Sequence, residues 1–260
     1  MKNILLKGMA VLAISALTVS CTKEDNDDVS GTGSLKIEYD NSFGGNDLIL
    51  ATQTNTTSKN EVLKVDKIKY IVSNIVLTKS DGTVFTYPKS QSYFIVDEAT
   101  VASRVITLKD VPAGDYSKIQ FGIGVDKAQW ELGATGQGDL LTEASAAGMM
   151  WGWSSGYKFL AFEGTFTSAT VTTATSYKVH VGQTGTDYNY AEVSLDLPTK
   201  ALVRTDITPQ IHLIADLGKI IDGSNKITLS DGATLMGGAV LATIAQNITA
   251  MFTVDHVHND

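Results

Sequence analysis

Cysteine is nearly absent from this chain of 260 residues, which contains a single example, Cys21. One cysteine excludes an intrachain disulfide and any metal site built from several thiolates. Only four prolines occur, and no Ser/Gly-rich linker follows Ser34, so the length fits one domain. The apolar run at residues 8–19 has 12 residues, which is too short for a membrane-spanning helix of about 20 residues.

Positive charge is also scarce, because 20 Lys and Arg residues face 28 Asp and Glu residues. Without residues 1–20, which contain two lysines, 18 basic side chains remain and the net charge is −10. This balance argues against nucleic acid or anionic lipid as a partner, since both require a basic surface. The sequence contains no nucleophile elbow, phosphate-binding loop or zinc-protease helix. We therefore expect a binding protein and not an enzyme.

The N-terminus has the composition of a signal peptide. Lys2 and Lys7 both precede the apolar run, and small residues come directly before Cys21. Residues 17–21, LTVSC, resemble a bacterial lipobox, although the leucine stands four residues before the cysteine instead of the usual three. We predict that residues 1–20 are removed and that lipid on Cys21 anchors the protein to a membrane. The alternative is an ordinary secretory signal with an incidental cysteine.

A short acidic segment follows the cysteine. Residues 22–28, TKEDNDD, place a lysine before acidic residues, and this order resembles the signal that directs lipoproteins of the Bacteroidota to the outer face of the outer membrane. A polar run of this kind cannot bury apolar area, so we expect residues 21–33 to be a flexible tether. The prediction is an outer-membrane lipoprotein, surface-exposed or facing the periplasm, with one folded domain at residues 34–260.

Alternation of apolar and polar residues dominates the chain after Ser34, and this period is typical of strands with one solvated face. A turn signal at residues 80–82 separates two alternating runs and predicts a hairpin. Runs of the same kind occur at residues 35–39, 62–68, 70–72, 75–77, 84–87, 93–96, 105–108, 119–123, 159–166, 176–181, 190–197 and 210–215. The sequence therefore predicts an all-β fold, an antiparallel β-sandwich with few or short helices, of which residues 236–247 are the best candidate.

One segment is rich in aromatic residues and methionine. Residues 148–157, GMMWGWSSGY, contain two of the three tryptophans of the chain, Trp151 and Trp153. If the segment is extended, both indoles point to one side. Methionine and indole groups can surround a soft metal ion, or the segment can close an open end of the sandwich. We expect the third tryptophan, Trp130, to lie elsewhere.

Histidine is the other candidate metal ligand, and the chain has four. His256 and His258 alternate on an extended end, which places both imidazoles on one side about 6–7 Å apart by strand rise and lets them converge on one ion. The alternative is an exposed polar tail. His180 lies between Val179 and Val181 and should face away from them, as a ligand or as a hydrogen-bonded rim residue. We expect the fourth, His212, to be structural.

The segments that bear on a family comparison extend along most of the chain. They are residues 70–77 with the turn at 81–82, then 93–97, 121–126, 150–157, 162–164, 180–182 and 252–258. Together they resemble the MbnP-like family, which is named for a copper-binding periplasmic protein of methanobactin operons and has many lipoprotein members in the Bacteroidota. The Trp-x-Trp-x-x-Gly-Tyr pattern at residues 151–157 is the most specific feature.

The resemblance implies a function and a set of site residues. In the family, a di-haem peroxidase-like partner oxidises a tryptophan to kynurenine, and the product binds copper together with histidine. By position, the resemblance implicates Trp151 or Trp153 with His180, and also His256 or His258. The alternative function is a carbohydrate- or ligand-binding lipoprotein of an outer-membrane uptake system, in which the aromatic rings stack on sugars. A sugar platform needs exposed rings, whereas a metal site needs imidazole beside tryptophan.

Overall fold

The computed structural model describes residues 29–152 and 156–260, apart from the side chain of Ala134. The predicted signal peptide, the lipidation site Cys21 and most of the tether lie outside the described residues, and so does Trp153. Within the described part of the chain, no helix is long and apolar enough to cross a membrane.

Strands dominate the described residues, and the helices are short. The strands are β1 Thr32–Phe43, β2 Asn46–Asp47, β3 Asn55–Thr56, β4 Val62–Lys79, β5 Val84–Thr86, β6 Tyr93–Asp97, β7 Val105–Pro112, β8 Gly114–Ile123, β9 Lys158–Thr167, β10 Thr175–Thr184, β11 Asp187–Tyr188, β12 Ala191–Val203, β13 Gln210–Asp216, β14 Thr234–Leu235 and β15 Phe252–His258. The helices are α1 Lys127–Glu131, α2 Ala134–Gln137, α3 Leu140–Ala146, α4 Lys219–Asp222 and α5 Val240–Ile248.

The strands form two sheets. The smaller sheet has the order β15-β13-β1-β2, and β7 pairs with β1 on the same edge as β2, nearer the start of β1. The larger sheet has the order β11-β10-β9-β4-β8-β12, and the short strands β3, β5, β6 and β14 extend it. The pairings are antiparallel except for β1 with β13 and β10 with β14. The predicted all-β sandwich is confirmed, and the predicted hairpin at residues 80–82 joins β4 to β5.

The core lies between the facing sides of the two sheets. Leu35, Ile37 and Tyr39 alternate along β1 as buried residues, and Ile211 and Leu213 do the same along β13. The opposite sheet contributes buried residues of β4, β8, β9, β10 and β12 to the same cluster. Because strand side chains alternate between faces, the residues between these positions point to the outer face of their own sheet.

A second apolar layer covers the outer face of the larger sheet. Helices α1 to α3 connect β8 to β9, and their apolar residues pack with Ile71 of β4 and Phe159 of β9. Met149 and Tyr157, which flank the two central tryptophans of the aromatic segment, belong to the same layer. The described part of the aromatic segment, residues 148–152 and 156–157, therefore lies on the outer face of the larger sheet, and the interpretation that these residues close an open end of the sandwich was wrong.

Candidate metal centre

His180 lies on the outer face of β10, as its alternation with two valines predicts. Val179 and Val181 point into the main core, and His180 points into the layer that covers the larger sheet. Its cross-strand neighbour on β9 is Ala161, whose small side chain leaves room for the imidazole ring. His180 is 5% exposed, so its polar atoms require partners within the protein.

Among the described residues, one ring nitrogen of His180 has a hydrogen-bond partner and the other has none. The Nε2 atom lies 2.9 Å from Oε1 of Glu163 on the neighbouring strand. A carboxylate can only accept, so Nε2 carries the proton and donates it, and the lone pair is on Nδ1. Nδ1 is buried and has no hydrogen-bond partner among the described residues. An imidazole held by a carboxylate with its second nitrogen open has the orientation of a metal ligand.

The protonation state of His180 suits this role. Burial lowers the pKa of the imidazole below its usual value, and the opposing effect of Glu163 is smaller. Burial by itself raises the pKa of Glu163, but the hydrogen bonds and the charges of His180 and Lys67 together outweigh it and lower that pKa. The pair is therefore a neutral imidazole and an ionised carboxylate at neutral pH. A neutral imidazole is the form that binds metal ions.

Trp151 lies beside His180. The two ring centroids are 6.0 Å apart with 54° between the planes, and Trp151 is 5% exposed. The backbone around it folds back on itself, since the Trp151 amide donates to the Gly156 carbonyl at 3.1 Å and the Lys158 amide donates to the Met149 carbonyl at 2.7 Å. The structure thus brings together two of the residues that the sequence indicated, Trp151 and His180.

Gly182 lets the indole approach β10. A β-carbon at Gly182 would lie 2.9 Å from Cζ2 of Trp151 and 2.5 Å from the backbone oxygen of Tyr157. Both separations are shorter than normal van der Waals contact, and the second involves backbone that cannot easily move. The sequence marked this glycine only as part of the segment at residues 180–182. Its role depends on a contact between distant segments, which no local pattern reveals.

A Gly182→Ala variant should displace Trp151 from its position against β10. Overpacking of this kind costs about 1–3 kcal/mol of folding free energy. We expect a lower unfolding midpoint in denaturant and a changed near-UV circular dichroism spectrum, because the indole loses its fixed environment. Gly237→Ala is the matched control, since no described atom lies within 4 Å of its β-carbon position. Equal stability of the two variants would contradict this packing.

Two lysines, Lys67 and Lys158, lie near the pair of His180 and Glu163. The Nζ atom of Lys67 lies 3.1 Å from Oε1 of Glu163. After burial as the main cause, the charges of Lys158 and Lys67 also contribute to lowering the pKa of His180. The Glu163 carboxylate acts in the opposite direction and favours a cation at His180. The two lysines offset part of this attraction, and their repulsion is greater for a doubly charged ion than for a singly charged one.

Soft donor atoms are present in the same layer. Met149 is 1% exposed and belongs to the cluster that contains Ala161, the residue opposite His180, and Met150 packs against that cluster. Thioether and imidazole groups together are typical of Cu(I) sites, whereas carboxylate-rich sets favour hard divalent ions. Thioether groups in the same layer and the two lysines beside the pair therefore both favour a soft monovalent ion over a hard divalent one.

Trp130 does not lie elsewhere, so that prediction was wrong. It packs against the outer layer, and its Nε1 atom is 3.7 Å from the position that a β-carbon at Gly156 would take. The Cδ1 atom of Trp151 is 3.8 Å from the same position. Trp130 also contacts the ring of Tyr188, with centroids 6.4 Å apart. Trp130 and Trp151 therefore approach Gly156 together.

His256 and His258 are not close to this site. They lie on β15, which pairs with β13 in the smaller sheet, and His256 is directly opposite His212. Because Ile211 and Leu213 point into the core, His212 and its partners are on the outer face of the smaller sheet. His180 is on the outer face of the larger sheet. The expectation that His256 or His258 shares an ion with His180 is therefore wrong, and the interpretation of His212 as purely structural missed a neighbour of His256.

Trp151 and Tyr157, the described aromatic rings of the segment, are poor candidates for sugar stacking. Trp151 is 5% exposed and Tyr157 is 4% exposed, and the Tyr157 hydroxyl donates to Oε1 of Gln137 at 2.5 Å. A stacking surface requires ring faces that are open to solvent. These two residues are instead packed in the layer that covers the larger sheet.

Comparison with known proteins places this arrangement in a family. The model of the MbnP family matches residues 32–237, which include Trp151, Glu163 and His180. The chain belongs to the MbnP family. The resemblance inferred from the sequence is thus confirmed. The match ends before β15, so His256 and His258 lie outside the part of the chain that matches the MbnP family.

A solved structure is also similar to this chain. It is MbnP from Methylosinus trichosporium, with 14% sequence identity and a TM-score of 0.48. The similarity covers 80% of this chain and 82% of the M. trichosporium chain. A search of curated proteins found no match.

Proposed function

We propose that this member of the MbnP family is a copper-binding protein and not an enzyme, with His180 and Trp151 at the centre of its site. The observation that supports this most is the buried Nδ1 atom of His180, which has no hydrogen-bond partner among the described residues and belongs to a ring 6.0 Å from the indole of Trp151. Soft donor groups favour copper in its monovalent state. The charges of Lys67 and Lys158 disfavour a divalent ion more than a monovalent one.

The residues around the ion have distinct tasks. His180 supplies the imidazole lone pair, and Glu163 orients the ring through its hydrogen bond at 2.9 Å. An indole N–H is a donor with no lone pair, so unmodified Trp151 cannot be a ligand. The family resemblance supplies the answer, because oxidation to kynurenine converts the indole into an aryl ketone with a primary aromatic amine. Both groups carry lone pairs that can face the ion.

The modification has a defined stoichiometry. Two oxygen atoms add across the Cγ–Cδ1 bond of the indole, which breaks, in a four-electron oxidation that consumes two molecules of hydrogen peroxide and releases two of water. Hydrolysis of the resulting N-formyl group then consumes one water and releases formic acid. A di-haem peroxidase-like partner, as the family resemblance implies, would take the electrons. The net change at the residue is the gain of one oxygen and the loss of one carbon.

The proposed function includes export of the protein, which the signal-peptide composition of residues 1–20 supports. We propose lipidation at Cys21 and location at the outer membrane, at the surface or facing the periplasm. A Cys21→Ala variant should be found in the soluble fraction, and a high-salt wash should leave none of it on the membranes. The reason is that each buried CH₂ of a lipid chain adds about 0.8 kcal/mol to the free energy of membrane binding, whereas the acidic tether adds nothing. Fractionation and immunoblotting measure this. A variant that still sediments with membranes would contradict the lipid anchor.

Protein purified from its native host provides the test of the function. We expect copper to be present, and the peptide that contains Trp151 to show the mass change of kynurenine formation. The peptide that contains Trp130 serves as the internal control and should be unmodified. Copper-free protein with an unmodified Trp151, recovered from copper-replete cells, would contradict the proposal.

A further inference from the structure

Three of the four histidines lie together on the outer face of the smaller sheet. The ring centroids of His212 and His256 are 4.8 Å apart, and those of His256 and His258 are 4.4 Å apart. The pairing of β13 with β15 has a register shift between His212 and Leu213, which leaves Asp255 without an opposite residue. A bulge of this kind redirects a side chain, and here it brings the Asp255 carboxylate beside both His212 and His256.

The donor atoms of this cluster have the spacing of a metal site. Oδ2 of Asp255 lies 2.6 Å from Nδ1 of His256 and 3.8 Å from Nδ1 of His212. Ligand atoms from these three residues all lie within 4.8 Å of one another. Bonds of about 2.0–2.2 Å to one tetrahedral ion separate its ligands by about 3.3–3.5 Å. Side-chain shifts on the order of 1 Å would therefore complete the coordination.

We propose that His212, Asp255 and His256 bind one divalent transition-metal ion of the Zn²⁺ class, at a site separate from that of His180. Two imidazoles and a carboxylate are ligands that Zn²⁺ takes. A fourth position is open to water, because the cluster is at the surface: the side chains of Asp255 and His256 are 53% and 41% exposed.

The second ring nitrogens support this assignment. Nε2 of His256 lies 2.7 Å from Nε2 of His258, and Nε2 of His212 lies 3.5 Å from Oδ2 of Asp40. When Nδ1 of each ring binds the ion, Nε2 carries the proton and faces an acceptor. Histidine ligands commonly have such an outer partner, which fixes the tautomer and the ring orientation. His258 is therefore a positioning residue for His256. Among the described residues, Nε2 of His212 has no hydrogen-bond partner in this structure, so Asp40 takes the same role only when metal binding turns the ring toward it.

The local charge differs from that around His180. Glu38 and Asp40 lie on the same face of the smaller sheet as His212, and Asp255 adds a third carboxylate. Three carboxylates favour a doubly charged ion, whereas the charges near His180 are one carboxylate and two lysines. The ion would join the edge strand β15 to β13, so its binding should also stabilise the last strand of the fold.

Titration of Zn²⁺ into the full chain in detergent tests this site. The chain is produced without a peroxidase partner, and a competing chromogenic chelator reports affinity. We expect one tightly bound ion per chain. The variants His212→Ala, Asp255→Asn and His256→Ala should each weaken binding about a hundredfold or more. The His258→Ala variant should weaken it about tenfold, as loss of an outer partner does. The His180→Ala variant should bind Zn²⁺ like the unmodified chain.

Co²⁺ supplies a second readout, since tetrahedral Co²⁺ absorbs in the visible range and His212→Ala should abolish that absorption. Two results would overturn the assignment. If only His256→Ala and His258→Ala lose affinity, the ion binds that pair alone; if only His180→Ala loses affinity, the ion occupies the proposed copper site. Because His180→Ala is included, failure of this site is distinguishable from failure of the copper site.

Discussion

A Phe252→Ala variant is expected to lose about 3–5 kcal/mol of unfolding free energy. Phe252 is 2% exposed and is the first residue of β15, the edge strand of the smaller sheet. Its ring contacts Phe121, Tyr70 and Tyr39 edge-on, with centroid separations of 5.1, 5.8 and 6.1 Å. Phe121 and Tyr70 belong to the opposite sheet, so the ring joins the two sheets as well as filling volume.

Urea denaturation followed by circular dichroism measures this loss. Thr253→Ala is the matched control, because Thr253 is the next residue of the same strand and is exposed. Exposed substitutions of this kind stay within about 0.5 kcal/mol. A loss below about 1 kcal/mol for Phe252→Ala would contradict the position of its ring in the core.

A Trp151→Phe variant is expected to abolish copper loading in the native host. Phenylalanine keeps most of the apolar packing against Gly182 but has no indole to open, so neither the ketone nor the amine can form. Trp130→Phe is the matched control, because Trp130 also approaches Gly156 but, among the described residues, its ring contacts Tyr188 and not His180. Metal analysis of both variants, with circular dichroism to show that both are folded, measures the difference.

Two outcomes would contradict this role of Trp151. Full copper loading of Trp151→Phe would show that the indole is not required. Loss of loading in Trp130→Phe alone would assign the modified residue to Trp130. A Trp153→Phe variant, whose position lies outside the described residues, completes the set of tryptophan variants.

Alternation along the sequence predicted most of the fold because each strand has one face in the core. Each predicted strand segment overlaps an observed strand, and α5 at Val240–Ile248 overlaps the predicted helix. The break that separated the runs at residues 70–72 and 75–77 is not a loop. It is an irregularity inside β4, where Asn74 has φ of 52° and the register with β8 shifts between Ser73 and Val76.

Helices α1 to α3 were not predictable from periodicity. They have five, four and seven residues, so none reaches two full turns of regular apolar spacing. Their buried side chains meet the outer face of the larger sheet, which the alternating pattern treats as solvated. The layer that encloses Trp151 and His180 therefore depends on tertiary contacts.

The metal-binding candidates show the same limit. Strand geometry alone predicted the face of β10 on which His180 lies. It also predicted that His256 and His258 lie on the same side of their strand. It did not predict the position of His212 opposite His256, because the register of β13 with β15 contains a bulge and the two histidines are 44 positions apart in the sequence. Glu163 could have been found as the partner of His180 only if the pairing of β9 with β10 were known.

The most direct test of the copper site is competition with a Cu(I)-specific chelator. It compares the unmodified chain with the His180→Ala variant, both purified from the native host so that Trp151 can be oxidised. We expect His180→Ala to lower copper affinity at least tenfold at neutral pH, whereas the double variant His256→Ala, His258→Ala, on the other sheet, should retain full affinity. Equal affinity of the unmodified chain and His180→Ala would contradict a copper site at His180.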